Sequence, residues 1–485
     1  MLWIALYLPQ LPLQLAQRAQ QTINPCVVSD GPALRPLVLC ANHAARELGV
    51  LPGMPVAAAR AIAGEFIVFQ RDEAAEAHAL HNLGCWAYQF TPGIVLQTGE
   101  GLILDVGSTL KLHGGLKKLI TRIHQSLTEL GYHAEPGVAP TPLAAWLLAK
   151  ARCTGIRVRM CTDITLLRER LSTLPLALLD WPDEIMKPLQ TLGILRIGQC
   201  LQLPRDGFIR RFGYARQLEL DKMLGIAPDP RPCFLPPEKF ANRIEFGFEI
   251  NDALMLLFPL KRLLQELAGF LRGRGAGVQE WHLLLDHMNK GKTHIVMGVI
   301  SPERNAERFL ALARERLTQM TLIGPVLALG IAADQLLIFE ESNRSFIPDP
   351  RTRAIGWGHL VDKLTTRLGN EKVYRLRALD DHRPEHAWQQ NTAAVAKKSS
   401  TPRITSPRPL FLLKTPRVLS TDEGDPLCQG RLRLLAGPER IESGWWDGNT
   451  ARRDYFVARN PKGETFWIYR EHQRSPLWYL HGIFS

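Results

Sequence analysis

The fold of this chain is easiest to read in 'FTPGIVLQTGEGLILDVGSTLKLHGG', residues 90–115. Two apolar runs flank the turn sequence 'TGEG', a pattern typical of two paired strands. The next segment, 'GLKKLITRIHQSLTELG', has apolar residues at helical spacing and ends at Gly131, which predicts a glycine-capped helix. Residues 2–8 and 'AEPGVAPTPLAAWLLAKA' each add a strand and a following helix. The resulting β-α-β-β-α-β order predicts a ferredoxin-like α+β domain with helices on one face of an antiparallel sheet.

Composition predicts a globular protein of several domains. The chain has 485 residues, 46% of them hydrophobic and 22% charged, and a formal net charge of +12. Nucleic acid is therefore a plausible partner, and the basic excess lies away from the N-terminus. The eight cysteines are scattered without metal-ligand spacing, so we expect reduced thiols and a cytoplasmic protein. Pro9 and Pro12 interrupt the apolar start, and no run is long enough to predict a membrane span.

The remaining chain changes character three times. Residues 166–235 read as short helices, including 'DEIMKPLQTLG' and 'RDGFIRRFG'. From 'FANRIEFGFEI' to 'LALGIAADQLLIF' the pattern is that of a second α+β unit. Residues 378–409 are polar and rich in Pro, Ser and Thr, which predicts a flexible linker. The tail is strand-like, and 'RRDYFVARNPKGETFWIYRE' predicts a hairpin that turns at 'NPKG'.

Four motifs, in this order along the chain, resemble the Y-family translesion DNA polymerases: 'ANHAARELGVLPGMP', 'FTPGIVLQTGEGLILDV', 'GVAPTPLAAWLLAKA' and 'LGILRIGQCLQLP'. The tail 'GPERIESGWWDG…RRDYFVAR…LHGIF' resembles a polymerase-like subfamily of them. The resemblance implies a multidomain α+β protein with the right-hand polymerase architecture. The implied domains are a palm with small inserted fingers (1–165, fingers about 20–75), a helix-hairpin-helix-like thumb (166–236), a DNA-binding little finger (237–334), a clamp motif with connecting segment (335–377), the linker (378–409) and a β-rich C-terminal interaction domain (410–485).

The resemblance also implies where catalytic carboxylates would lie. Polymerases of this family hold two Mg²⁺ ions about 4 Å apart, with an Asp-x-Asp on the first strand and an Asp-Glu pair on the hairpin. Here the first pair falls on Leu6 and Leu8, and the second on Glu100 and Gly101. We therefore expect no catalytic residues, no metal site and no cofactor. The alternative left open is an active polymerase that uses Glu100 and Asp105 as replacement ligands.

Several candidate contacts to nucleotide or DNA remain. In the fingers, Arg46 is a candidate phosphate contact, whereas His43 stands where the family has a tyrosine. Thr141-Pro142 replaces a family Asn-Lys, so that lysine is missing. In the thumb, 'GILRIGQC' keeps one glycine, Gly198, whose backbone N–H would face a phosphate.

Two further features concern DNA held by the thumb and little finger. The thumb turn 'LDWPDEI' lacks the family's glycines and brings Asp183 and Glu184, which repel phosphate. In 'FLRGRGAGVQEW', Arg272 and Arg274 would share one face of a strand and follow one DNA backbone.

The segment 'QLLIF' is a candidate motif for binding the sliding clamp. An extended peptide would bury apolar side chains in a pocket of the clamp while the Gln335 amide fixes its register. An interior strand of the second α+β unit is the alternative interpretation. The residues predicted to bind the clamp are Gln335, Leu336, Leu337, Ile338 and Phe339.

Together these features predict a non-catalytic Y-family homologue that acts as the clamp-binding hub of a damage-inducible complex for translesion synthesis. The resemblance implies that its aromatic-rich C-terminal part recruits a RecA-like accessory subunit and an error-prone replicative-type polymerase to primer-template DNA. A structural DNA-binding protein without a clamp partner is a further alternative. Salt-dependent DNA binding without clamp binding would favour it.

Overall fold

The chain folds into two compact units, Met1–Thr366 and Arg367–Ser485, each with its own hydrophobic core. No helix among the described residues is long and apolar enough to cross a membrane. The computed structural model describes residues 1–18, 24–32, 34–156, 160–288, 291–339, 350–369, 372–379, 381–392, 408–472 and 477–484.

The N-terminal part of unit 1 has the predicted ferredoxin-like order. Its elements are β1 (Trp3–Tyr7), α1 (Leu11–Gln17), β2 (Cys26–Asp30), β3 (Leu37–Ala41), α2 (His43–Glu47), α3 (Val56–Ala63), β4 (Ile67–Gln70), α4 (Glu73–Ala87), β5 (Gly93–Gln97), β6 (Gly101–Asp105), α5 (Leu116–Leu130), β7 (Glu135–Ala139) and α6 (Pro142–Cys153). The palm sheet is antiparallel with strand order β5-β6-β1-β7. Gly131 ends α5 in the left-handed conformation, as predicted.

Both faces of the palm sheet are covered. Because side chains alternate along a strand, Ile4 and Leu6 of β1 pack with α4 and α5, whereas Ala5 packs with α6 on the other face. The small sheet β3-β2-β4, with α2 and α3, is inserted between α1 and α4. These elements fall within residues 20–75, where the fingers are predicted.

The thumb segment consists of short helices, as predicted. They are α7 (Leu167–Ser172), a 3-10 turn (Leu176–Leu179), α8 (Asp183–Thr191), α9 (Ile197–Cys200), α10 (Arg205–Phe212) and α11 (Tyr214–Leu224). Their apolar side chains share one core with α6, so palm and thumb are built around a common helix.

The second α+β unit folds as an antiparallel sheet with two helices. Its elements are β8 (Phe240–Ile250), a 3-10 turn (Ala253–Leu256), α12 (Leu257–Gly273), β9 (Ala276–His287), β10 (Lys292–Glu303), α13 (Ala306–Thr318), β11 (Val326–Ala333) and the two-residue β12 (Leu337–Ile338). The strand order is β10-β9-β11-β8, with β12 paired to the start of β9.

Helix α12 packs this little-finger unit against the palm helices α4 and α5. A Cβ on Gly269 would lie 2.7 Å from the Trp86 ring, so the glycine permits the close approach of α12 to α4. The buried Arg18 and Glu266 form an ion pair across this contact, and Arg18 Nη1 also donates to the Tyr132 hydroxyl at 2.7 Å. The buried Asn242 donates to the same Glu266 carboxylate. The two parts of unit 1 are therefore joined by a buried polar network.

The connecting segment after the clamp motif contains α14 (Pro350–Leu368). Its buried Asp362 accepts a hydrogen bond from the Ile300 N–H at 2.8 Å and pairs with Arg308. Within unit 1 the segment is therefore anchored to β10 and α13. Residues 340–349 lie outside the described residues.

Unit 2 is β-rich, as predicted for the C-terminal domain. Its elements are β13 (Tyr374–Ala378), a 3-10 turn (Pro384–His386), β14 (Trp388–Thr392), β15 (Phe411–Asp422), β16 (Asp425–Leu427), β17 (Arg433–Ser443), β18 (Ala451–Arg459), β19 (Thr465–Glu471) and β20 (Trp478–Ile483). The order β16-β15-β20-β19-β18-β17 forms a six-stranded sheet. Strands β18 and β19 confirm the predicted hairpin, which turns between Asn460 and Gly463.

The prediction of a flexible linker at residues 378–409 is wrong for the first part of this range. β14 pairs with β13, and the buried Arg383 forms ion pairs with Asp381 at 2.7 Å and Asp447 at 2.6 Å. The polar residues of this part indicated a linker, but Arg383 and Asp381 belong to a network of ion pairs that includes Asp447. Residues 393–407 of the predicted linker lie outside the described residues.

Candidate functional site

The end of β1, where the first carboxylate pair was expected, carries apolar and phenolic side chains. Leu6 and Leu8 are buried in the core beneath α4 and α5. Since successive side chains of a strand point to opposite faces, the prediction that the first carboxylate pair falls on these two positions was wrong by one residue. Tyr7 points to the opposite face, where its ring packs 5.3 Å from that of Trp146. Burial, with a smaller contribution from the charge of Glu100, raises the pKa of Tyr7 to about 12. The phenol is protonated at neutral pH and is a poor ligand for Mg²⁺.

Gly101, the second hairpin position, has no room for a side chain. It lies opposite Tyr7 in the β1–β6 register, and Leu8 N–H donates to the Glu100 carbonyl at 2.7 Å. A Cβ on Gly101 would overlap the carbonyl oxygen of Leu6. A carboxylate at position 101 is therefore incompatible with this backbone.

The two acids proposed as replacement ligands lie at opposite ends of β6. Glu100 precedes the strand, and Asp105 ends it, which separates them by about 16 Å at roughly 3.3 Å per residue. Two bridged metal ions are only about 4 Å apart. Asp105 instead accepts a hydrogen bond from the Gly107 N–H at 3.1 Å. Within the described ranges, no group of three or more His, Cys, Asp or Glu side chains could hold a metal ion, so the residues present do not fit a two-metal centre.

The fingers residues are exposed on α2. Asn42 caps this short helix by accepting a hydrogen bond from the Ala45 N–H at 2.9 Å. His43 is 86% exposed and lies 3.4 Å from the Glu47 carboxylate, as expected for a solvated side chain on a helix surface. Arg46 is exposed on the same helix and remains a candidate phosphate contact.

In the thumb, Gly198 has a packing role. It lies in the first turn of α9, and a Cβ there would be 2.6 Å from Cβ of Ser172. The turn before α8 contains Asp180 in a left-handed conformation (φ 50°), paired with the buried Lys150. Asp183 and Glu184 occupy the first turn of α8, as the sequence indicated. These acids weaken the attraction of this turn for a phosphate.

Arg272 and Arg274 do not lie on a strand, so the prediction that they share a strand face was wrong. Arg272 is in the last turn of α12 and Arg274 caps it, because the chain turns at Gly275 (φ 61°) before β9 begins. Arg274 donates to the Pro236 carbonyl at 2.8 Å and holds the segment that enters β8. Arg272 points to the palm, where Nη1 donates to Gln89 Oε1 at 3.3 Å.

The candidate clamp segment forms a short edge of the little-finger unit and not an interior strand. Leu337 and Ile338 pair with Gly277 and Ala276 of β9, and Phe339 N–H donates to the Gly275 carbonyl at 3.1 Å. Gln335 is exposed, and Ile338 is 85% exposed.

Two side chains of the same segment contact its own domain. Leu336 packs on the little-finger core. The Phe339 ring lies beside Gly277, with the Arg304 guanidinium 4.3 Å from its centroid. The segment is therefore presented at the surface but partly anchored.

The open face of the little-finger sheet is of mixed charge. Arg243 lies 3.1 Å from Asp286 and 3.2 Å from Glu245, and Lys292 lies 3.9 Å from Asp286. Each cation is compensated by a carboxylate, which reduces its attraction for DNA.

The aromatic residues of the C-terminal unit are mostly structural. Tyr455, Trp467 and Tyr469 are almost fully buried and pack against one another. In contrast, Trp445 and Trp446 are 77% and 59% exposed at the loop between β17 and β18. Trp445 and Trp446 are therefore accessible to a partner, unlike the three buried rings.

Comparisons with known proteins agree with this description. Residues 10–150 match the family described as "impB/mucB/samB family". The matched residues include the palm strands β5-β6-β7 and the inserted small sheet, so the match and the palm topology describe the same part of the chain. Along nearly its whole length the chain is similar to "Protein ImuB" of Caulobacter vibrioides, with 26% identity over 90% of this chain and 100% of that protein.

More distant similarities extend over shorter parts of the chain. "DNA polymerase IV" of Dehalococcoides mccartyi is 25% identical over 54% of this chain and 67% of its own length. Among solved structures, DinB from Sulfolobus solfataricus is 19% identical, covers 70% of this chain and 100% of its own, and superimposes with a TM-score of 0.39.

Proposed function

We propose that this protein is a non-catalytic Y-family DNA polymerase homologue that acts as the clamp-binding hub of a mutasome, a DNA damage-inducible complex for translesion synthesis. It holds primer-template DNA loosely and recruits an error-prone replicative-type polymerase together with a RecA-like accessory subunit. Similarity to ImuB and to DNA polymerase IV supports a role in DNA repair by lesion bypass.

The observation that carries the non-catalytic part is the backbone conflict at Gly101. With Tyr7 opposite and Leu6 overlapping any Cβ at position 101, the hairpin offers a single carboxylate, Glu100. One carboxylate does not bridge two divalent ions. The alternative, an active polymerase that uses Glu100 and Asp105, requires ligands from opposite ends of β6 to converge.

The clamp-binding part rests on the exposure of residues 335–339. Only two residues of this segment pair with β9, so few backbone hydrogen bonds are lost when it moves into a partner's groove. Gln335 and Ile338 already face solvent. Leu336 and Phe339 would exchange contacts with their own domain for contacts with the clamp.

The test is clamp binding by a Gln335→Ala/Ile338→Ala variant, because both side chains are exposed and their loss does not disturb the core. We expect at least a tenfold loss of affinity with an unchanged unfolding midpoint. Val296→Ala, 52% exposed on β10, is the matched control and should bind like the wild type. Unchanged clamp affinity of the double variant would exclude residues 335–339 as the clamp site.

A further inference from the structure

Three arginines meet where the little-finger unit contacts the palm. Arg122 lies on α5, Arg272 ends α12, and Arg304 lies between β10 and α13. We call them the arginine cluster. Partial burial first, and then the charges of Arg304 and Arg122, lower the pKa of Arg272. The charges of Arg122 and Arg304 are therefore close enough to act on Arg272.

Neutral groups hold Arg122 and Arg272 in place. Arg272 donates to the Gln89 amide oxygen at 3.3 Å, and Arg122 Nη1 is 3.3 Å from Nδ1 of His113. His113 is itself fixed, because its Nε2 lies 3.0 Å from the Phe90 carbonyl oxygen. Arg304 lies over the Phe339 ring. The structure thus orders Arg122 and Arg272 through hydrogen bonds to neutral groups, with the Arg304 guanidinium over the Phe339 ring.

Within the described part of the chain, neither Arg122 nor Arg272 forms an ion pair with a carboxylate, although both are accessible to solvent. The carboxylate of Glu129, whose charge acts on Arg272, accepts a hydrogen bond from Gln265 Nε2 at 3.0 Å. On the little-finger sheet, by comparison, Arg243 and Lys292 both form ion pairs with Asp286. A cation without a carboxylate partner is the one that gains most from binding a phosphate.

We propose that the arginine cluster is a binding surface for the DNA phosphate backbone, formed jointly by palm helix α5 and the little-finger unit. It lies on the α4/α5 side of the palm sheet and beside the clamp segment, through the contact of Arg304 with Phe339. DNA bound there would be held next to the clamp, away from the β1–β6 hairpin. The proposal deepens the DNA-holding part of the proposed function and rests on it.

The test is binding of a fluorescein-labelled primer-template duplex, measured by anisotropy over a series of KCl concentrations. For Arg122→Gln/Arg272→Gln we expect a loss of about tenfold or more in affinity. The slope of log affinity against log salt should fall by about two, roughly 0.9 for each lost phosphate contact. Arg314→Gln/Arg316→Gln on α13 removes the same amount of charge from the little-finger unit alone and should retain nearly full affinity. Circular dichroism and the unfolding midpoint verify that both variants fold.

Four outcomes would overturn the proposal: no DNA binding by the wild-type chain, unchanged DNA affinity of the cluster variant, an equal loss in the control, or loss of clamp binding alone. The last would assign the cluster to an acidic protein surface. Clamp binding is measured separately in every variant. Failure of the hub function, seen as a wild-type chain that binds no clamp, is thereby distinguished from failure of the DNA surface.

Discussion

The main chain of Leu6 occupies the space into which any side chain at position 101 would extend, so β1 and β6 are packed for a glycine at that point. The hairpin therefore has no space for a carboxylate side chain at this position. A single substitution cannot place a second carboxylate beside Glu100, because the backbone would have to move first.

We predict that Gly101→Glu destabilises the palm by about 1–3 kcal/mol, the usual cost of forcing extra atoms into a packed region. The measurement is the urea midpoint of the full chain. Thr98→Glu, on the exposed turn of the same hairpin, introduces the same charge and should change stability little. Equal stability of the two variants would contradict the account of Gly101.

A second prediction concerns the buried network between palm and little finger. Glu266→Ala leaves Arg18 buried without its carboxylate partner, which costs about 3–5 kcal/mol. We expect a lower unfolding midpoint and faster proteolysis of unit 1. Gln265→Ala, next in the chain but bonded to the surface Glu129, should have a much smaller effect. Wild-type stability of Glu266→Ala would show that the network does not join the two parts.

A third prediction is a pH dependence in unit 2. Nδ1 of the buried His481 lies 2.7 Å from the Tyr455 hydroxyl, and burial lowers the pKa of His481, with Arg453 acting in the same direction and Glu385 opposing it. Since the folded-state pKa is below the unfolded value of about 6.5, the stabilisation is fully present above that pH. It is lost as pH falls through the folded-state pKa.

Amide hydrogen exchange along β18–β20 in the full chain measures this effect. Protection should decrease between pH 7 and pH 5 in the wild type. His481→Gln should remove most of that dependence, whereas His472→Gln, which changes a more exposed histidine, should preserve it. An unchanged pH profile in His481→Gln would contradict the assignment.

The local parts of the fold could be predicted from the sequence. The strands on either side of 'TGEG', the Gly131 cap and the hairpin at 'NPKG' are each encoded within about 20 residues, so periodicity and turn residues reveal them. The resemblance supplied the predicted order of palm, fingers, thumb and little finger, and the palm sheet has the topology predicted from the sequence.

The failures were of two physical kinds. A position of the site was assigned to Leu6, which is buried, when its neighbour Tyr7 is the residue on the opposite face of β1. Arg272 was assigned to a strand, although this residue lies at the end of a helix. The other misses depend on partners distant in sequence. Arg383 pairs with Asp447, 64 residues later, and Arg18 with Glu266, 248 residues later. Lys118 and Arg122 are four residues apart on α5, so a basic face of this helix could have been predicted from the sequence but was not.

Primer extension by the purified chain is the most direct test of the central claim, that this palm does not catalyse nucleotide transfer. With Mg²⁺ or Mn²⁺, all four deoxynucleotides and a primer-template, we predict no extension above a no-protein control, while an active Y-family polymerase in parallel extends the primer. Extension by this chain that is abolished by Glu100→Gln would contradict the account.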